Sequence, residues 1–391
     1  MIKHMLKLIW NKRKKNTLLF VEIFFCFLIV WAIAAFATRN FRNYLTPLGY
    51  EVENLWHVNL SRSFEAIDSV DMISTRESLK NAMEAIPGVE HAAFGGMAVP
   101  FGGSMWMNGN DDMGFEFRTN MLSGDADYQD VFDFELVEGR WFTPEDTLSK
   151  YRPVVVNRRL REEYFRNEPI LDSILILDGE WRITGVVDHY NYRDGFEEEQ
   201  ALTIFYTSEF DTNMPELYLR VVDGSGGELE ETIISELGQI LKTEDIVVND
   251  LDKNRRALAL QTWILIVVGL IVGGFLIVNI ALGLFGVLFY SISKRRPEIG
   301  LRRAMGASKS SISGQFTTEV YLVALAAMLL ASLFTIQVPL LGLLGDVVRS
   351  ADAYIAMFIA FCLISLVVLT CAYLPARSAA GLHPAEVLHE N

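Results

Sequence analysis

The sequence predicts a membrane protein with four transmembrane helices and an α+β extracytoplasmic domain inserted between helices 1 and 2. Three observations lead to this fold class. Apolar residues make up 51% of the 391-residue chain, which is high for a soluble protein. They concentrate in four blocks of roughly 20 residues or more, each long enough to cross a hydrocarbon core of about 30 Å as a helix. Between the first two blocks the apolar residues follow strand and helix periods instead.

The hydropathy pattern also places the boundaries of the segments. The predicted transmembrane helices occupy residues 17–38, 257–290, 316–344 and 354–374. The other segments are a basic N-terminus (1–16), the extracytoplasmic domain (39–256), a cytoplasmic loop (291–315), a short external loop (345–353) and a cytoplasmic tail (375–391).

Charge indicates the orientation in the membrane. Six basic residues and no acidic residue precede the first block, so the N-terminus is expected to stay in the cytoplasm. Four spans then return the C-terminus to the same side. The exported segment 39–256 holds 42 of the 49 acidic and 20 of the 34 basic residues, a formal charge of −22. This negative charge argues against a nucleic-acid partner but is compatible with a cationic ligand.

A cleaved signal peptide is the competing interpretation of the first block. The sequence Ala35-Phe36-Ala37 resembles a small-residue cleavage site. The apolar stretch is long for a signal peptide, however, and Glu22 inside it is unusual there, so a retained anchor is favoured.

The two ends of the exported segment repeat one order of elements: strand, helix, strand. In the first part (39–99), alternation over Val52–Leu60 predicts a strand, and Ser74-Thr75-Arg76-Glu77 predicts a helix start through a capping box. The last part (216–252) repeats the order from Leu217 onwards. We expect these two parts to join in one membrane-proximal sheet, with 100–215 as an inserted subdomain.

The inserted subdomain opens with a loop rich in glycine and methionine. Exposed Met105, Trp106 and Met107 would be unusual in water, so the loop is a candidate contact for a substrate or for a neighbouring subunit. Packing against a neighbouring subunit is the favoured interpretation. Further on, the pair Asp178-Gly179 between two apolar runs predicts a hairpin.

A basic segment between the second and third spans carries the strongest functional signal. Glu298 and Arg302 are four residues apart in the favourable order for a helix. Pro297 suits the first turn, and Gly306 suits the C-terminal stop. Ile299 and Arg303 fall on one face, where they would anchor the helix in a groove of a soluble partner. The alternative is that this loop is only a positive-inside topology signal.

The second span contains small and polar residues of interest. Gly269 and Gly273 form a GxxxG pair, which favours close helix packing and makes this span the candidate dimer seam. Helix flexibility is the rival interpretation. Asn279 lies deep in the same span and is expected to hydrogen-bond to another helix, a transport-path role being less favoured.

Several motifs resemble one known family. The segment from Ile299 to Ser308 is similar to the signature "EIG-(hydrophobic)-R-(K/R)-A-(hydrophobic)-G-A" of MacB/FtsX-like ABC-transporter permeases. The tail Pro375–Leu388 is similar to that family's terminal "PARRAARLDPVEALR" pattern. In the exported segment, Asp127–Phe142 resembles its "Y…LxxGRxF" element, and Ile183–Asp188 resembles its "VVGVVxD" strand.

The resemblance implies a two-part MacB-like periplasmic core domain, an FtsX-like permease domain at about 257–384, and a location in the bacterial inner membrane. It implies a dimer, either a homodimer or a heterodimer with a related permease, and leaves a periplasmic adaptor open. Its coupling helix to the ATPase would comprise Glu298, Ile299, Gly300, Leu301, Arg302, Arg303, Ala304, Met305 and Gly306.

The chain carries no G-x-x-x-x-G-K-[ST] sequence, which a phosphate-cradling loop requires. We therefore expect a separate P-loop ATPase of MacB/Lol type to bind ATP and Mg²⁺, with no cofactor, metal or catalytic residue on this chain. No HExxH or G-x-S-x-G sequence indicates an enzyme.

The predicted function is that of a permease subunit. It would convert ATP-driven motion into a change of the extracytoplasmic domain that exports or extracts a peptide, antibiotic or lipoprotein. An FtsX-type mechanical regulator of a cell-wall hydrolase is one alternative, and a membrane sensor or scaffold is another.

Overall fold

A computed structural model describes residues 13–60, 69–102, 106–110, 117–166, 168–177, 179–191, 193, 195–207, 216–343 and 349–380. The chain forms two compact units, one of Met1–Arg42 with Trp263–Asn391 and the other of Asn43–Thr262.

The helices are numbered along the chain. They are α1 (Arg13–Leu45), α2 (Ser69–Glu84), α3 (Tyr128–Phe132), α4 (Arg158–Leu160), α5 (Gly227–Leu241), α6 (Leu251–Lys294), α7 (Arg296–Ala304), α8 (Lys309–Leu340) and α9 (Ser350–Ala380). Two short turns complete them, a 3₁₀ turn (Pro144–Leu148) and a π-helical turn (Arg161–Phe165) that continues α4.

The strands are numbered in the same way. They are β1 (Leu55–Asn59), β2 (Val89–Gly96), β3 (Met107–Asn110), β4 (Phe117–Gly124), β5 (Leu136–Gly139), β6 (Arg152–Asn157), β7 (Ile174–Leu177), β8 (Gly179–Val187), β9 (Leu202–Tyr206), β10 (Glu216–Val221) and β11 (Val248–Asp250).

Four helices of the described chain are long and apolar enough to cross a membrane, as the sequence predicts. They cover Thr17–Leu45, Leu251–Lys294, Lys309–Leu340 and Ser350–Arg377. Small side chains let two of them approach closely: α8 buries Ala327 and Ala331, and α9 buries Ala356 and Ala360 in the same cluster. The indole nitrogen of Trp31 donates to the carbonyl of Ala353 (3.0 Å), which also ties α1 to α9.

The described part of Asn43–Thr262 contains one sheet of eleven strands. Nine strands lie in the order β11-β1-β10-β2-β4-β9-β6-β8-β5, with β3 paired to β4 and β7 paired to β8. The two sequence ends supply the first four strands, which confirms that they share one sheet. The inserted segment supplies the rest. The two groups meet where β2 pairs with β4, through Gly95 with Gly124 and Gly96 with Ser123.

The sheet has an apolar core on each face. On one face, α2 and α5 bury Leu79, Met83, Ile233 and Leu237 against the strands of the end parts. On the other face lies an aromatic cluster that includes Tyr50, Tyr128, Phe132, Phe134, Trp141, Tyr190 and Tyr218. The hydroxyls of Tyr128 and Tyr190 are 3.1 Å apart within it.

The last turn of α1 and the segment that follows it are fixed to a loop of the inserted part. Asn43 Nδ2 donates to the carbonyl of Phe196 (2.8 Å), and the ring of Tyr44 stacks on that of Phe196. Gly49 has a φ of +87°, and a Cβ added there would lie 1.8 Å from the carbonyl oxygen of His189. Only glycine therefore allows this approach.

One predicted element boundary is wrong. The described part of helix α2 already includes Ser69, five residues before the predicted capping box. Ser74 lies inside the helix, and its carbonyl accepts a hydrogen bond from Ser78 Oγ (2.6 Å). The S-x-x-E pattern did not mark a start because the preceding residues continue the helix.

Candidate functional site

The candidate site is α7, which forms between α6 and α8 for reasons visible in its sequence. Pro297 stands in the first turn, where its missing N–H costs no hydrogen bond, and Glu298 lies there as an acid at the positive helix end. Arg302 and Arg303 lie in the last turn. Gly306 follows with a φ of +94°, a left-handed conformation that ends the helix.

The buried face of α7 is held by apolar side chains from three other helices. Ile299 is 3% exposed. It lies in a cluster with Ile292 of α6, Ile312 and Phe316 of α8, and Ala376 of α9. The expectation that Ile299 anchors the helix in a groove of a partner is therefore wrong, because the chain itself covers this side chain.

Ionic contacts fix α7 and its flanks further. Arg295 donates from both terminal nitrogens to the carboxylate of Glu319 on α8, at 3.0 and 3.3 Å. Arg302 donates to Glu298 (2.5 Å) and, from its other terminal nitrogen, to Gln315 of α8 (2.9 Å). The pairing of Glu298 with Arg302 agrees with the predicted spacing. These contacts hold α7 against the start of α8.

The opposite face of α7 carries an exposed apolar pair. Leu301 is 56% exposed and Met305 is 73% exposed, and their spacing of four residues places them on one side. Arg303 is half-buried, and it donates to the carbonyl of Ala307 (3.2 Å). Of the other predicted coupling residues, Gly300 is buried, while Glu298, Ala304 and Gly306 are exposed. Sequence reasoning missed Leu301 and Met305 as a pair, although their spacing was visible.

The GxxxG pair of α6 packs within the subunit. A Cβ added at Gly269 would lie 3.4 Å from Ile33 of α1, and one added at Gly273 would lie 3.3 Å from the same side chain. Close packing is thus the role of these glycines, but the neighbour is α1 of the same chain. A part for Gly269 and Gly273 in a dimer seam stays a prediction.

Asn279 also differs from expectation. Its side chain is exposed, and Nδ2 donates to the carbonyl of Phe275 in the same helix (2.9 Å). The hydrogen bond to another helix that the sequence predicts is not formed within the described subunit.

Three loop residues were predicted to contact a substrate or a neighbouring subunit, and the structure describes two of them. Met105 lies outside the described residues. Trp106 immediately precedes β3 and Met107 is its first residue, and they are 53% and 52% exposed. Both therefore remain candidates for contact with a substrate or a neighbouring subunit. Among the residues that the structure describes, no group of three or more metal-binding side chains occurs.

Two family descriptions match the chain. The MacB-like periplasmic core domain matches residues 23–232, and the FtsX-like permease C-terminal domain matches residues 270–384.

Curated relatives agree with this assignment. The macrolide export ATP-binding/permease protein MacB of Vibrio parahaemolyticus is 29% identical over 282 residues, which cover 67% of this chain and 41% of that protein. MacB 1 of Yersinia pestis is 26% identical over 336 residues, covering 81% of this chain and 49% of that protein. The chain thus spans about two fifths to one half of the length of these relatives.

The solved structures that match include the periplasmic region of MacB from Actinobacillus actinomycetemcomitans. It has 15% identity and a TM-score of 0.36, and the match covers 55% of this chain and 97% of that one. The extracellular domain of the ABC-type transporter YknZ has 14% identity and a TM-score of 0.34, with 50% of this chain and all of that domain covered.

The core-domain match alone covers more than half of the chain, and the permease match follows it in the expected order. The chain belongs to the MacB/FtsX-like family of ABC-transporter permeases, membrane proteins with an extracytoplasmic domain between their first two spans.

Proposed function

We propose that this chain is a permease subunit that couples ATP hydrolysis on a separate P-loop ATPase to a conformational change of its extracytoplasmic domain. The change exports or extracts a substrate. ATP and Mg²⁺ belong to the ATPase in this proposal, and both termini and α7 lie in the cytoplasm. Peptides, antibiotics and lipoproteins are the candidate substrate classes, and the curated relatives are named for macrolide export.

The observation that carries the proposal is the two-sided construction of α7. One face is locked into the chain through Ile299, and the other face presents Leu301 and Met305 to the outside. Two large apolar side chains on a rigid helix, surrounded by basic residues, suit a groove on a soluble partner. A loop that served only as a topology signal would not require this packing.

The contacts of α7 also support a route for the motion. Arg295 links the end of α6 to Glu319 of α8, and Arg302 links α7 to Gln315. A push on α7 would therefore reach α6 and α8 together. Helix α6 is unbroken over 44 residues and begins directly after β11, which supports transmission along one element of about 66 Å.

The test is a pull-down of the tagged full chain in detergent, with an assay of ATPase activity in the bound fraction. The double variant Leu301→Asp/Met305→Asp is compared with wild type. The control is Val247→Asp, which places the same charge at an exposed apolar residue (55% exposed) of the other unit.

We expect wild type and the control to retain a P-loop ATPase, and the double variant to retain at least about tenfold less, since two interface anchors are lost. Equal retention by the double variant would show that this face of α7 does not dock the ATPase. Absence of any ATPase from an intact, folded wild-type chain would refute the proposed coupling and bring the sensor or scaffold interpretation forward.

A further inference from the structure

A crevice opens between α1, α6 and α8 at one end of the membrane helices. Six of its nine lining side chains are apolar, and they include Leu19 of α1, Val287 of α6 and Val323 of α8. The charged side chains of Arg295 and Glu319 also line it. The crevice thus combines apolar walls with one ion pair.

The crevice extends from the end of α6 into the membrane-spanning part of the helices. Arg295 directly follows α6, and Val287 lies eight residues earlier, about 12 Å along the helix. On α8, Phe316 and Val323 are seven residues apart, about 10 Å. One half of a hydrocarbon core of about 30 Å has a similar depth. The crevice therefore suits an acyl chain whose headgroup lies beside Arg295.

The guanidinium group of Arg295 is held in place and keeps donors for an anion. A guanidinium has five N–H groups. Two of its nitrogens donate to Glu319, at 3.0 and 3.3 Å. Only 18% of the Arg295 side chain is exposed, and its guanidinium carbon lies 5.5 Å from the centre of the Phe316 ring. In the part of the chain that the structure describes, three N–H groups remain for a further partner.

The charge around the crevice favours an anionic headgroup. The segment Lys294–Glu319 holds six basic and two acidic residues, and Lys294 and Arg296 are exposed on either side of Arg295. Basic pockets between membrane helices on the cytoplasmic side suit anionic lipids, and a phosphate matches the N–H groups of an arginine. A soluble anion would leave the apolar walls uncovered, whereas a phospholipid covers them with an acyl chain.

We propose that the crevice binds one anionic phospholipid of the cytoplasmic leaflet, with its phosphate on Arg295 and one acyl chain along Val287 and Val320. The bound lipid contacts α1, α6 and α8 together, at the ion pair that links α6 to α8. The inference uses the cytoplasmic location of α7 from the proposed function. It does not depend on the ATPase or the substrate, and its failure would leave the coupling proposal standing.

The test is photo-cross-linking of lipid to the purified full chain, reconstituted without an ATPase in phosphatidylcholine vesicles. The probe is phosphatidylglycerol with a diazirine in one acyl chain, and phosphatidylcholine with the same diazirine is the comparison without net charge. Mass spectrometry of peptides measures the label within residues 287–295 and 316–323.

Two pairs of variants test the walls and the charge separately. Val287→Trp fills the crevice, and its control Val278→Trp adds the same bulk at a residue of α6 that is 54% exposed and does not line the crevice. Arg295→Gln removes the proposed phosphate contact, and Arg296→Gln removes the same charge at the neighbouring exposed residue. Gel filtration in detergent checks that each variant remains folded.

We expect phosphatidylglycerol to label these residues roughly three- to tenfold more than phosphatidylcholine, because the surplus of basic residues repels the choline cation. Val287→Trp should lose most of this label, and Val278→Trp should retain it. Arg295→Gln should remove the preference for phosphatidylglycerol, and Arg296→Gln should retain most of it.

Equal labelling by the two lipids would overturn the anionic ligand. Unchanged label in Val287→Trp would overturn the crevice as the place of the acyl chain. Equal effects of Arg295→Gln and Arg296→Gln in folded chains would show that surface charge alone attracts the lipid, and would overturn the phosphate site.

Discussion

Gly49→Ala tests the contact that fixes the segment after α1. The glycine has a φ of +87°, where an alanine costs roughly 1–2 kcal/mol. Its new Cβ would also lie 1.8 Å from the carbonyl oxygen of His189. Backbone must move to relieve this overlap, which costs about 1–3 kcal/mol more. We expect a total loss of about 2–5 kcal/mol in the free energy of unfolding.

Gly224→Ala is the matched control for that prediction. Gly224 has a similar φ of +80°, but an added Cβ would meet nothing within 4 Å. The change in unfolded-chain entropy is the same in both variants, so only the strain of about 1–2 kcal/mol should appear here. Urea unfolding of the full chain in detergent, followed by tryptophan fluorescence, measures both. If the two variants differ by less than about 0.5 kcal/mol, the close approach to His189 contributes no stability and the reasoning fails.

Two further predictions concern burial. The pKa of Asp125 is raised from 3.8 to about 6 by burial, although Lys80 opposes the shift. Because the folded pKa exceeds the unfolded one, ionisation of Asp125 destabilises the folded state. The free energy of unfolding relative to Asp125→Asn should therefore fall by roughly 2 kcal/mol as the pH rises from 4 to 6. If the difference in the free energy of unfolding between wild type and Asp125→Asn did not change with pH, the prediction would be contradicted. Separately, Ile299→Ala should speed hydrogen exchange of the α7 amides, since a buried isoleucine is worth about 2–5 kcal/mol, while Leu301→Ala should leave it unchanged. Equal effects of the two variants would show that Ile299 does not anchor α7.

Hydropathy and charge were sufficient to predict the four membrane helices, because a helix in lipid must be apolar over its whole length. Strand alternation likewise predicted that the two ends of the exported segment share a sheet. These features depend on residues close together in the sequence.

The faces of helices were harder to predict. Ile299 looked like a partner anchor from its spacing to Arg303, yet Ile312, Phe316 and Ala376 cover it from other helices. The spacing of Gly269 and Gly273 indicated a close approach but not its neighbour, which is Ile33. Both cases depend on contacts between distant residues, and a helical period alone carries no information about which element lies opposite.

The junction between β2 and β4 has a mechanical consequence. The ladder there has two residue pairs, in which three of the four residues are glycines. Asp125 adds two hydrogen bonds to Phe94, one from its backbone N–H and one to its carboxylate. The ring of Tyr128 lies so close to Gly95 and Gly124 that an added Cβ at either would be 2.7 Å from it. A sheet is expected to bend most easily where its ladder is shortest, so we expect the inserted strands to tilt about this junction. A larger side chain at Gly95 or Gly124 would have to displace Tyr128.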